Sequence, residues 1–129
     1  APENPNWWGY THTTSYDLAM ILRGLATKEL LPAPVCDYVL NEMRRVAPNQ
    51  RWGIPEGCPT PAAVAVKNGW YPEEDARKVW RVHSIGVAPV GAKTDRAVVS
   101  ILTRYPLERG MRYGQETCRI VASEVLRAF

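Results

Sequence analysis

A chain of 129 residues is one domain's worth of sequence, with room for a single hydrophobic core. Hydrophobic residues make up 46% and charged residues 22%, which excludes disorder as the main state, and no apolar run approaches the ~20 residues that cross a membrane. The net charge of +3 comes from 16 basic and 13 acidic residues with no block of one sign, so the clustered footprint of a nucleic-acid binder is absent.

The chain in order reads as follows. Ala1 to His12 holds two prolines and the aromatics Trp7, Trp8 and Tyr10 without a period, and is expected to be an irregular segment packed by its rings. Thr14 with Asp17 has the form of a capping box, and Leu18, Ile21, Leu22 and Leu25 fall on one helical face. Pro32 and Pro34 separate this helix from a second, marked by Val35, Val39, Leu40, Met43 and Val46 and ending before Pro48. From Pro48 to Pro61, turn-favouring residues surround Arg51-Trp52 and connect into a sheet. Strands are expected from Ala62 to Val66, Val79 to Val87 and Arg96 to Thr103. After breaks at Pro106 and Gly110, a last helix begins at Tyr113 or Gly114 and carries Cys118, Val121, Ala122, Val125, Leu126 and Phe129 on its apolar face. Helix, helix, three strands and a C-terminal helix packed on them make an α+β protein.

The stretch with chemical character is Ala62 to Tyr71, A-A-V-A-V-K-N-G-W-Y. It reads as a buried strand delivering a tip, with Lys67 where the strand leaves the core and Gly69 allowing close approach of a ligand or backbone. In this reading Trp70 through Lys78 is loop. Asn68-Gly69 is also the strongest short signal for a two-residue hairpin turn, so a simple bend is the other reading.

Other candidates are sparser. Cys36, Cys58 and Cys118 show no C-x-x-C spacing, so no metal site and no cofactor is expected. An odd count leaves one thiol free or paired with another chain in a secreted protein, whereas in a cytosolic one all three suit a core. His12 and His83 are isolated in sequence and assign no triad. Arg81, on the strand after Lys67, is a candidate to grip a carboxylate. Five tryptophans, Trp7, Trp8, Trp52, Trp70 and Trp80, define the competing reading, a non-catalytic module whose exposed rings stack on sugar or peptide; three or more on one exposed surface would favour it.

The T-T-x-x-D-L-A helix start at Thr13 to Ala19, W-G-I-P at Trp52 to Pro55 and K-N-G-W at Lys67 to Trp70, arriving in this order, resemble the C-terminal half of the class A β-lactamase and penicillin-binding-protein superfamily, and most closely its actinobacterial β-lactamase-like serine hydrolases. The resemblance covers nearly the whole chain and implies residue roles. Lys67 takes the place of the lysine in the K-[ST]-G triad, which steadies the substrate carboxylate and the proton network of the nucleophile. Asn68 replaces the hydroxyl residue and can donate a hydrogen bond but not relay a proton. Trp70, after Gly69, supplies an oxyanion-hole N–H.

The family's nucleophile, the serine of S-x-x-K, has no counterpart, because Ser15, Ser84, Ser100 and Ser123 all lack a lysine three residues on. An S-D-N motif is also missing, and Glu3 is the carboxylate that would correspond to the deacylating glutamate. Residues 1–129 are therefore expected to form a partial domain, partnered by the N-terminal half of the same protein or by another copy of the chain. A small-molecule or peptide carboxylate is the implied substrate. The lack of a methionine before Ala1 fits a processed chain, with a secreted or cell-envelope location as the expectation.

Overall fold

The computed structural model describes residues 12–91 and 95–129. Glu3, Trp7 and Trp8 lie outside these described residues. Helix α1, Ser15–Ala26, opens on the expected capping box, in which Thr14 Oγ1 accepts the Asp17 N–H at 3.1 Å and Asp17 Oδ2 accepts the Thr14 N–H at 3.2 Å. Helix α2, Ala33–Arg44, starts on its prolines, where a missing N–H costs nothing. Leu22 and Leu25 of α1 and Cys36 and Leu40 of α2 form one buried cluster, and a 2.8 Å Lys28–Asp37 ion pair links the helices at the surface.

The connection that follows is more structured than its turn residues alone indicate. Short 3₁₀ turns at Pro48–Gln50 and Pro61–Ala63 flank a single helical turn, α3, Ile54–Gly57. Arg51 fastens it, donating to Arg44 O at 2.7 Å, Pro61 O at 2.7 Å and Val64 O at 3.0 Å. One guanidinium thereby satisfies carbonyls from the end of α2, from a turn and from the approach to the sheet.

Three antiparallel strands follow: β1, Ala65–Glu73; β2, Val79–Pro89; and β3, Arg96–Pro106, in the order β1-β2-β3. All three outlast the expected spans. The largest difference is in β1, which runs through Lys67-Asn68-Gly69 and on to Glu73, with Gly69 paired to His83 and Tyr71 to Arg81. Asn68-Gly69 is thus neither tip nor turn. The reversal falls at Glu74–Lys78, where Asp75 Oδ1 accepts the Arg77 N–H at 2.9 Å and Lys78 adopts φ 46°. Residues read as loop for their proline and aromatics are strand because β1 is an edge strand, where a proline is tolerated.

The two sheet faces are covered differently. Pairing places Val66, Asn68, Val82, Ser84, Gly86, Val99 and Ile101 on one face. This face packs on helix α4, Gly110–Leu126, through Cys118, Ala122 and Leu126, and on Ile54 of α3. Helix α4 begins before the expected Tyr113: Gly110, at φ 71°, turns the chain directly into it. Ala65, Ile85, Val87 and Val98 occupy the opposite face beneath α1 and α2. Each fully buried aliphatic side chain contributes roughly 1.5–3 kcal/mol. Among the described residues, large apolar side chains also remain exposed on α1 (Tyr16, Met20, Ile21) and α4 (Ile120, Val121, Val125).

Candidate functional site

Because residues paired across strands share a face, Lys67, Gly69, Tyr71 and Glu73 of β1 stand on the same side as Arg81, His83 and Ile85 of β2. Helices α1 and α2 cover the Ala65–Val87 end of this face, and Lys67 is the first residue of β1 beyond that cover to be exposed. Its Nζ donates to the Asn68 carbonyl. Beside it, a Cβ built on Gly69 would meet nothing within 4 Å. Lysine followed by an empty position leaves a cation at the rim of open space on a rigid strand.

Asn68 points the other way. It is 3% exposed, and its Nδ2 donates to Gln50 O at 2.8 Å and to Trp52 O at 3.0 Å. Both amide hydrogens are spent on the connection, so the side chain anchors residues 50–52 to β1. Trp70 shares this second face; its ring meets Trp52 edge-on at 6.0 Å, and it is 41% exposed. Among the described residues strand β1 pairs with β2 alone, so its other edge takes no further strand.

Arg81 donates through Nε to Glu73 Oε1 at 2.7 Å, and Arg77 Nε stands 3.3 Å from Glu73 Oε2. The Glu73 side chain is 9% exposed against 40% for Arg81, so a nearly buried carboxylate holds a half-exposed guanidinium. His83 lies between this pair and Lys67. Its Nδ1 accepts the Thr103 N–H at 3.1 Å, and burial lowers its pKa, with the charge of Arg81 adding to the effect and the Val82 backbone opposing it. Sequence reasoning passed over Glu73 and His83. The signal that could have found them is the alternation Lys67, Gly69, Tyr71, Glu73, which continues only if the strand does not end at the glycine.

Ser84, Ser100 and Ser123 do not form a nucleophilic centre. Ser84 is fully buried and its Oγ accepts the Ile54 N–H at 3.2 Å, Ser100 Oγ is buried without a partner, and Ser123 Oγ accepts from Arg127 at 3.3 Å. Cys118 is also inert, because burial pushes its thiol up to about 11. Among the described residues no three His, Cys, Asp or Glu side chains cluster as metal ligands, and no helix is long and apolar enough to cross a membrane. Of the three described tryptophans, Trp52 is buried at 6%, Trp80 packs on the Trp52, Val82 and Tyr105 cluster, and Trp70 alone is exposed. Among the described residues these three rings do not make a stacking platform, and Trp7 and Trp8 of that reading lie outside them.

No curated protein and no solved structure matches the chain. The profile of the β-lactamase enzyme family, however, matches residues 3–129, nearly the entire sequence over which the lysine strand, the two preceding helices and the closing helix have just been described; the chain belongs to the β-lactamase enzyme family.

Proposed function

We propose that this chain carries the lysine strand of a β-lactamase-like serine hydrolase that performs acyl transfer on a β-lactam, a D-alanyl peptide or a related amide or ester. The observation that carries the reading is the exposed Lys67 at the rim of the space over Gly69. The ammonium takes the substrate carboxylate, while Gly69 lets the acyl group lie close to the strand. The Trp70 N–H donates to the oxyanion as the carbonyl becomes tetrahedral, a role in which one donor is worth ~2.7–4 kcal/mol. Asn68 acts indirectly, holding β1 against residues 50–52. Arg81, tied to Glu73, adds positive field at the far end of the same face.

The attacking hydroxyl and its lysine base come from outside these residues, since no serine here has the S-x-x-K spacing. We assign them to the N-terminal half of the same protein, which would also cover the exposed apolar side chains of α1 and α4; a second copy of the chain would cover those faces but brings no S-x-x-K of its own.

The test is Lys67→Ala, with benzylpenicillin and an acyl-D-alanyl-D-alanine peptide as probes. A charge-assisted hydrogen bond contributes ~1.5–3 kcal/mol, so affinity or kcat/KM for both should fall roughly ten- to a hundredfold. Lys28→Ala, in the α1–α2 ion pair, should leave both unchanged. Equal silence of the two substitutions would reduce K-N-G-W to a plain strand.

A further inference from the structure

The histidine that sequence reading set aside stands one strand pair from the lysine. His83 is paired with Gly69, the position where the sheet surface is open, and shares its face with Lys67. Its ring is not free to choose a tautomer. A backbone N–H can only donate, so the 3.1 Å contact from Thr103 N makes Nδ1 the acceptor. A protonated Nδ1 would instead turn to the Val82 carbonyl, which also accepts from the Thr103 hydroxyl at 2.5 Å, and would set two donors, itself and the Thr103 N–H, against each other. The proton therefore resides on Nε2, for which no partner is found among the described residues.

We propose that His83 is a substrate-contacting residue of this site, its neutral Nε2–H donating to a second oxygen of the ligand whose carboxylate is held by Lys67. The inference rests on the acyl-substrate reading of Lys67 and extends it to substrate class. The rows of Lys67 and Gly69 are two residues apart, about 7 Å along the strand. A ligand using both groups carries an acceptor oxygen, such as an amide or ester carbonyl, at about that distance from its carboxylate. A bare carboxylate satisfies Lys67 alone. A neutral donor also suits the second position, since it selects an uncharged oxygen without drawing the carboxylate away from the lysine.

The experiment is nitrogen-resolved NMR of the histidine side chains in the protein, titrated with an acyl-D-alanyl-D-alanine peptide and, separately, with acetate. The free protein should show His83 as the Nε2–H tautomer. The peptide should shift the Nε2–H resonance, while acetate should leave it in place and still compete at Lys67. His83→Leu should weaken the peptide about tenfold, the size expected for one buried neutral hydrogen bond, and acetate hardly at all. His83→Gln, which offers an amide donor of similar reach, should restore part of the loss, a rescue that mere repair of packing would not give.

An Nδ1–H tautomer in the free protein would overturn the inference. So would a motionless Nε2–H resonance during binding that Lys67→Ala abolishes, and in that case the reading of Lys67 would survive. If no probe binds in a Lys67-dependent way, both fall. Should His83→Leu not fold, the resonance titration of the unsubstituted protein decides alone.

Discussion

Glu73 accepts the Nε–H of Arg81 at 2.7 Å, diagonally across the β1–β2 pair, with the carboxylate nearly buried and the guanidinium half exposed. The pair is asymmetric. Removing the arginine leaves a desolvated charge behind, whereas Arg77, 3.3 Å from the other oxygen and 50% exposed, is a weaker partner. Arg81→Ala should therefore destabilise the fold by about 1–3 kcal/mol, toward the lower end because the arginine is solvent-screened, and Arg77→Ala by less. Urea unfolding of the two variants gives the comparison; equal losses would show that the carboxylate does not depend on Arg81.

Stability should also depend on His83. Burial holds its folded pKa below the ordinary 6.5, so the folded state takes up a proton less readily than the unfolded chain. Above pH 6.5 both states are neutral at this position and the contribution is present in full. As pH falls from 6.5 through the lower folded value, the unfolded chain gains the proton first and stability is lost. Denaturant midpoints measured from pH 7.5 to 5 should decline for the natural sequence, and His83→Leu should flatten this decline. An unchanged slope in the variant would place the titration elsewhere.

Asn68→Ala should remove two hydrogen bonds at once and leave the Gln50 and Trp52 carbonyls short of a donor, costing about 1–3 kcal/mol. Threonine, the residue of the K-[ST]-G pattern, offers a single O–H and should rescue no more than part of this. Thermal melting of the Ala and Thr variants provides the check. Full stability in Asn68→Thr would mean that one of the two contacts is dispensable.

Much of the fold was legible because its signals are local. Thr14 and Asp17 announce a helix start whatever surrounds them, and Leu18 to Leu25 keep helical spacing over two turns. The end of β1 was not legible in the same way. Gly69, Pro72 and an acidic run all signal a turn, and what overrides them is pairing with β2, which matches Gly69 to His83, Pro72 to Trp80 and Glu73 to Val79. The fate of Asn68 was hidden for a related reason. Polar residue and lysine are neighbours in the chain, but the pleat sends them to opposite faces, and the carbonyls that claim the amide belong to a loop 16 and 18 residues upstream. Lys67 itself could be found from its place at the end of an apolar run.

Two glycines should respond in opposite ways to the same methyl group. At Gly57 a Cβ would meet Arg119 O and Ser123 N, both at 2.7 Å, so α3 and α4 must separate; Gly57→Ala should cost about 1–3 kcal/mol. At Gly69 the space is empty and the backbone is ordinary strand, so Gly69→Ala should gain about 0.5–1 kcal/mol while placing a methyl group in the open space beside Lys67. Stability and probe binding measured together test this opposition: a destabilised Gly69→Ala, or a neutral Gly57→Ala, would contradict the packing described.

The intimate seat of Gly57 on α4 also has a mechanical reading. Helix α4 bears on α3; α3 continues the segment whose Gln50 and Trp52 carbonyls grip Asn68; and Asn68 stands between the lysine and the glycine of the site. The closing helix is thus joined to the Lys67–Gly69 stretch of β1 by a short series of direct contacts. Loosening of α4 should therefore be felt at Lys67 and Gly69 through packing, from the opposite face of the sheet.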